Sequence, residues 1–226
     1  MDPREAGIIE GGSQDVPHED GLGKFLIEEL AWLLAAFAVT ILTATALQGR
    51  GGVLAAAAPG FALYAFHGLV GLHVIRTERR ELAGWFRVDR RGVLWGVGGG
   101  AALLAFNGLY GFVLEKAGVV PPDIAGMLRG LLPESALFAW AAVLAPVVEE
   151  MYFRGRLVGA FTPRLGPVWA GTISSLAFAA IHGIPAFFPA YLVFAFALLA
   201  LRRRTGGLVA PIIAHMINNA FALLGS

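Results

Sequence analysis

Two adjacent carboxylates, Glu149 and Glu150, stand in the stretch VVEEMYFRGRL (residues 147–157), at the end of an apolar run that begins near Ala136. A charge in hydrocarbon costs roughly 2.5–3.5 kcal/mol even on lenient insertion scales, so two carboxylates there must be neutralised or used. Few other polar groups interrupt the apolar stretches. His182 closes FAAIH, and His215, Asn218 and Asn219 lie in HMINN. Spacing sorts these residues. Glu150 and Arg154 are i, i+4 in the favourable acid-before-base order, so that carboxylate can be neutralised within its own helix. Glu149 has no such neighbour. Phe178 and His182, and likewise His215 and Asn219, are i, i+4 and share a helix face. A desolvated carboxylate beside an imidazole suits general-base chemistry. Hydrogen-bond donors from a third helix suit a developing oxyanion. Together these groups amount to a peptide hydrolase: Glu149 with His182 for the water, His215 and Asn219 for the oxyanion, and Glu150, Arg154 and Phe178 in support.

The elements that carry these residues are transmembrane helices. The chain of 226 residues is 57% hydrophobic and 15% charged, with a mean hydropathy of +0.70. Spanning a hydrocarbon core needs about 20 residues of helix. Seven stretches qualify, at roughly 25–47, 53–75, 92–115, 136–158, 167–183, 186–201 and 207–224. The expected fold is all-α: a polytopic bundle of about seven spans with the catalytic core in the last four. Residues 1–24 read as a disordered polar tail. Residues 25–135 read as variable N-terminal transmembrane helices, and 136–226 as the catalytic helix core. No cysteine is present, which excludes thiol chemistry and disulfides. No signal peptide is read before the first span.

With seven spans, 14 of the 17 basic residues fall on one side and 3, Arg50, Lys116 and Arg129, on the other. The positive-inside rule then predicts a cytoplasmic N-terminus and an outside C-terminus. Two lysines against fifteen arginines, with abundant Ala and Gly, point to a bacterial inner (plasma) membrane.

Spans four and five are joined by TPRLGP, a turn with two prolines and a glycine. In an antiparallel hairpin, residues equidistant from the turn lie at one height. The midpoint of 149 and 182 falls between Leu165 and Gly166, so Glu149 and His182 should face each other. Pro146 should kink its helix beside the carboxylates.

EExxxR, FxxxH and HxxxN, in that order on successive apolar segments, resemble the CPBP family of intramembrane proteases, also called the CAAX-protease or Abi family. The match is residue by residue: Glu149, Glu150 and Arg154; Phe178 and His182; His215 and Asn219. It covers about residues 136–224. The resemblance implies a glutamic-type endopeptidase in which Glu149 activates water with His182 while His215 and Asn219 stabilise the oxyanion. No cofactor is favoured. His2Glu is nonetheless a legitimate zinc set, so a zinc ion on Glu149, His182 and His215 is the alternative. The implied partners are a protein or peptide substrate at the membrane and the lipid bilayer, with no nucleic acid.

Other polar groups read as structural. His67, His73 and Asn107 read as packing or helix–helix contacts, and Glu28 and Glu29 as juxtamembrane. The arginine-rich loop 76–91 reads as a topology anchor on the anionic leaflet, and Gly98, Gly99 and Gly100 as sites of close helix packing. Residues 121–133 read as an interfacial helix or a lid. Two other functions compete with proteolysis. One is a non-proteolytic immunity or scaffold protein that keeps the family's polar core. The other is a transporter with a proton relay, against which the absence of an internal repeat speaks.

Overall fold

The computed structural model describes residues 20–119, 126, 129 and 132–225. Among these residues the chain is all-helical. Helix α1 covers Asp20–Gln48, α2 Gly52–Thr77, the single turn α3 Leu82–Trp85 and α4 Arg90–Lys116. A continuous run Glu134–Ile181 is broken at Gly166, whose φ of 76° lies in the left-handed region; glycine enters it at no steric cost. The break divides the run into α5 (134–165) and α6 (167–181). A 3-10 turn, Pro185–Phe187, leads into α7 (Phe188–Thr205), and α8 covers Val209–Leu224.

Helices thus stand at all seven stretches read from hydropathy. The first begins at Asp20, inside the segment read as a polar tail; residues 1–19 lie outside the described residues, as does most of 121–133. The runs Gly21–Gln48, Arg90–Lys116, Glu134–Ile181 and Pro185–Thr205 are long and apolar enough to cross a bilayer. Leu42, Ile27 and Leu30 on α1, and Leu94 and Leu109 on α4, are exposed. Apolar side chains facing outward from helices of this length face lipid. The protein is an integral membrane protein.

The core is built where α5, α6, α7 and α8 meet, around Phe153, Phe178, Phe194, Leu198 and Ala214. The α5–α6 hairpin is antiparallel. Phe153 and Phe178, which share the midpoint of Glu149 and His182, pack edge-on with ring centroids 5.3 Å apart. Ser174 ties the pair by donating to the Phe153 carbonyl at 2.7 Å. The turn is tighter than the TPRLGP loop suggested, because helix continues on both sides of Gly166.

Both ends of the bundle are tied. At one end Leu208 N–H donates to the Trp85 carbonyl at 2.8 Å, and Arg203 bonds the Pro167 carbonyl. The connections after α2, α5 and α7 therefore share one end, the arrangement that the arginine distribution requires. At the opposite end Tyr110 donates to the Ala186 carbonyl at 2.6 Å, and Arg129 donates to that of Leu223 at 2.6 Å.

Three readings are extended or changed. Glu29, read as juxtamembrane, is buried within the bundle. It accepts from His73 Nε2 at 2.9 Å and from Arg156, which also reaches Glu78 at 2.5 Å. Four charged or polar groups from α1, α2, α5 and the end of α2 thus compensate one another away from water. The loop 76–91 is more than an anchor: its α3 turn buries Trp85 against Gly155, where an added Cβ would meet the indole at 2.6 Å. Finally, the close approach of α4 to its neighbours uses Gly96, Gly99 and Gly100, whereas Gly98 has nothing within 4 Å. The helical period places 96, 99 and 100 on one face and 98 off it.

That face generates a test. A Cβ at Gly96 would meet the Ile213 side chain at 2.8 Å and the Ala210 backbone oxygen at 2.9 Å. Gly96→Ala should therefore cost roughly 1–3 kcal/mol through overpacking, while Gly98→Ala should leave stability unchanged or raised. Unfolding midpoints of the two variants in detergent check the contrast.

Candidate active site

The site lies where α5, α6, α7 and α8 leave a cavity of about 410 Å³. Its polar wall carries Glu149, His182, His215, Asn218, Asn219 and Asn107; its aromatic wall carries Tyr110, Trp140, Phe187, Tyr191 and Phe194. All four residues assigned to catalysis from the sequence thus face one space.

Local helix geometry aims the carboxylates. Two π-helical segments, Ala139–Leu144 and Met151–Leu157, flank the α-helical turn that holds them. Such wide turns recur at functional sites. In the first, Ala145 N–H donates to the Trp140 carbonyl, five residues back, and skips Ala141. The next residue is Pro146, which has no N–H to give. The Ala141 carbonyl is taken instead by Asn219 Nδ2, at 2.9 Å, from across the cavity. Pro146 therefore acts through hydrogen-bond register: it frees an acceptor that docks α8 onto α5.

Glu150 is fully buried and Arg154 is 1% exposed. Arg154 donates to Glu150 Oε1 at 3.0 Å and to the Ala195 carbonyl at 3.1 Å. Its guanidinium lies 4.3 Å from the Phe178 ring centroid, which gives the phenylalanine of FxxxH a cation–π role. The i, i+4 pairing of Glu150 with Arg154 thus stands in the structure, and the arginine's charge is met inside the protein.

His215 joins the two carboxylates. Its Nδ1 lies 3.0 Å from Glu150 Oε1, and its Nε2 lies 3.9 Å from Glu149 Oε2. Opposite a carboxylate, Nδ1 must carry the hydrogen. The neutral ring therefore presents a lone pair at Nε2, and His215 donates to an oxyanion from Nε2 only as imidazolium. His182 is fixed in the same sense. Its Nδ1 is 2.8 Å from the Phe178 carbonyl, which can only accept, so the neutral ring also offers Nε2 as an acceptor. Tyr191 stacks on His182 at 4.1 Å between ring centroids. Glu149 Oε2 is buried without a hydrogen-bond partner among the described residues.

Asn219 is one of three linked amides. Asn107 Nδ2 donates to Asn218 Oδ1 at 2.6 Å, and Asn218 Nδ2 to Asn219 Oδ1 at 3.3 Å. Asn107 is thus a helix–helix contact, as read, and a cavity residue as well. His67 departs further from its reading as packing, since its Nε2 is 3.5 Å from Glu149 Oε1. Tyr191 and Trp140 were not singled out at all. Isolated aromatics in apolar stretches give no signal of their own. Among the described residues, no three His, Cys, Asp or Glu side chains converge closely enough to hold a metal ion.

Residues 132–221 match the family model described as type II CAAX prenyl endopeptidase Rce1-like. Over this segment the chain is similar to the CAAX-protease family that its motifs resemble. The matched segment contains every residue assigned from the three CPBP motifs. A curated relative, "Putative membrane peptidase YdiL" of Bacillus subtilis (strain 168), is 30% identical over 84 residues, 37% of this chain. The alignment spans 34% of that relative, so the chain covers about a third of its length. No solved structure matches. His67 and Asn107 lie outside the matched segment, on α2 and α4, yet reach into its site.

The buried ion pair sets an expectation. Arg154→Met leaves Glu150 with His215 alone, and breaking a buried pair by removing one partner costs about 3–5 kcal/mol. The folded fraction recovered in detergent, and its unfolding midpoint, should fall accordingly. A midpoint equal to that of the unaltered protein would refute this account of the pair.

Proposed function

We propose that this protein is a membrane-embedded endopeptidase that hydrolyses peptide bonds of membrane-associated or lipid-proximal protein substrates. The observation that carries the reading is Glu149: a carboxylate held at a cavity wall, with one oxygen unpartnered and facing a histidine already tied to a second carboxylate. Glu149 Oε2 and His215 Nε2 are both acceptors in the resting site, and a water molecule has two hydrogens for two acceptors. Its oxygen attacks the carbonyl carbon as Glu149 takes a proton. The carbonyl π electrons move to oxygen, and the second N–H of Asn219 is a neutral donor for that charge. Collapse of the adduct breaks the C–N bond, and the proton returns from Glu149 to the leaving nitrogen. His182, the expected partner of Glu149 in activating water, lines the same cavity.

These steps use no metal; a zinc ion on Glu149, His182 and His215 is the alternative, and chelation separates the two. CAAX-type processing is one substrate class within this reading, following the description of the matching family. The aromatic wall of the cavity suits apolar substrate groups beside the scissile bond.

The test compares the termini of membrane and secreted proteins in cells with and without the enzyme. Glu149→Gln keeps shape and loses the base, so new termini should vanish, a loss of about 100-fold or more, while the variant still folds and inserts. Cleavage with purified protein should persist after chelation; loss restored by zinc would put a metal in the site. Full processing by Glu149→Gln would overturn Glu149 as the base, and termini that are the same with and without the protein would leave the immunity or scaffold reading in its place.

The arginine distribution further supports a cytoplasmic N-terminus and an outside C-terminus, and the excess of arginine over lysine a bacterial inner membrane. The chain has no cysteine, so single cysteines report sidedness without background. An impermeant thiol reagent added outside intact cells should label Gln48→Cys and leave Pro163→Cys unlabelled. The reverse pattern would invert the orientation.

A further inference from the structure

We infer that His67, on α2 and outside the matched segment, is a positioning residue for Glu149. The inference rests on the proposed role of Glu149 as base. It starts from an asymmetry between the two carboxylate oxygens. Oε1 lies 3.5 Å from His67 Nε2, whereas Oε2 has no hydrogen-bond partner among the described residues and faces His215 at 3.9 Å. A carboxylate free to rotate presents either oxygen to water. One held by a donor at Oε1 presents Oε2 alone. A separation of 3.5 Å is at the outer edge of hydrogen-bond reach, and catalytic contacts commonly tighten once substrate is bound.

The surroundings of His67 decide which nitrogen donates. Its Nδ1 has two neighbours with opposite demands: the Leu63 carbonyl at 3.0 Å, which only accepts, and Trp140 Nε1 at 3.2 Å, which only donates. A carboxylate opposite Nε2 also only accepts. With the hydrogen on Nδ1 alone, Nε2 would set a lone pair against Glu149. With the hydrogen on Nε2, the ring donates to Glu149 and accepts from Trp140. That is the neutral form in which both the indole and the carboxylate are satisfied, so Trp140 on the first π turn and Glu149 on the α-helical segment that follows grip one imidazole. The side chain of His67 is 13% exposed and that of Glu149 19%, so little water competes for the contact. The rings of His67 and Trp140 meet edge-on, with centroids 5.4 Å apart, and Phe66 packs beside them. Holding a base within about 0.5 Å of productive geometry is what supporting residues supply.

The experiment uses the full-length protein in detergent micelles and a peptide carrying a segment cut in the terminus comparison. Four proteins are compared: unaltered, Glu149→Gln, His67→Leu and His67→Gln. Leucine fills the space without a donor. Glutamine carries an amide N–H near the position of Nε2. The expected result is a fall in kcat of about 10- to 100-fold for His67→Leu with KM within about twofold, and recovery to within about threefold of the unaltered kcat for His67→Gln. Unfolding midpoints identify any variant that loses activity by unfolding, and the glutamine variant then decides by its kcat alone. An unchanged kcat in His67→Leu would overturn the inference while leaving Glu149 as base, provided Glu149→Gln is inactive. Equal loss in the leucine and glutamine variants would reduce His67 to a packing role and overturn it too. A rise in KM at constant kcat would assign His67 to substrate binding instead. Activity in Glu149→Gln would remove the base itself, and the proposed mechanism with it.

Discussion

The site hangs on one buried charge, the Arg154 guanidinium. Each of its contacts reaches a different helix. It meets Glu150 one turn back on α5, the Ala195 carbonyl on α7 and the Phe178 ring on α6. A charge in hydrocarbon is tolerated only where its bonding capacity is met. The same demand that neutralises Arg154 therefore fixes three helices against one another. Glu150, held by Arg154, in turn holds Nδ1 of His215. That contact sets the tautomer of the histidine that faces Glu149. The second glutamate of the pair thus works on the first through α8, although the two are adjacent in the chain.

Backbone irregularity supplies the other half of the arrangement. In a regular helix the Ala141 carbonyl would be consumed four residues on. The π register passes it over, and Pro146 cannot reclaim it. An unpaired carbonyl in a membrane protein must find a donor. The donor is Asn219, so an orphaned backbone group is what draws α8 to α5 at the cavity. Asn218 and Asn107 extend the chain of amides to α4. Small residues on α4, Gly96 and Gly100, let α8 come close enough for that contact.

The N-terminal helices are part of the same construction. α2 brings His67 to Glu149, and α4 brings Asn107 to the asparagines of α8. The Glu29, His73 and Arg156 cluster pins α1 and α2 to the second π segment of α5. The segment that matches the CPBP family holds the motif residues, but polar groups from outside it complete their surroundings.

Hydropathy alone located the helices, since about 20 apolar residues in succession have few other stable forms. The i, i+4 pairs were equally readable, because helical geometry places such residues on one face whatever the surroundings. The hairpin midpoint was legible too: two helices joined by a tight turn must align their heights, and Phe153 meets Phe178, a pair with the same midpoint as Glu149 and His182. Tertiary structure decided the rest. That His215 serves Glu150 and Glu149 at once, that His67 and Trp140 reach the base, and that Glu29 and Arg156 are buried partners all depend on how helices rotate about their axes. No local spacing encodes that rotation. It is settled by which polar groups find partners once the helices meet, and by the π turns and the proline that decide which backbone groups still need one.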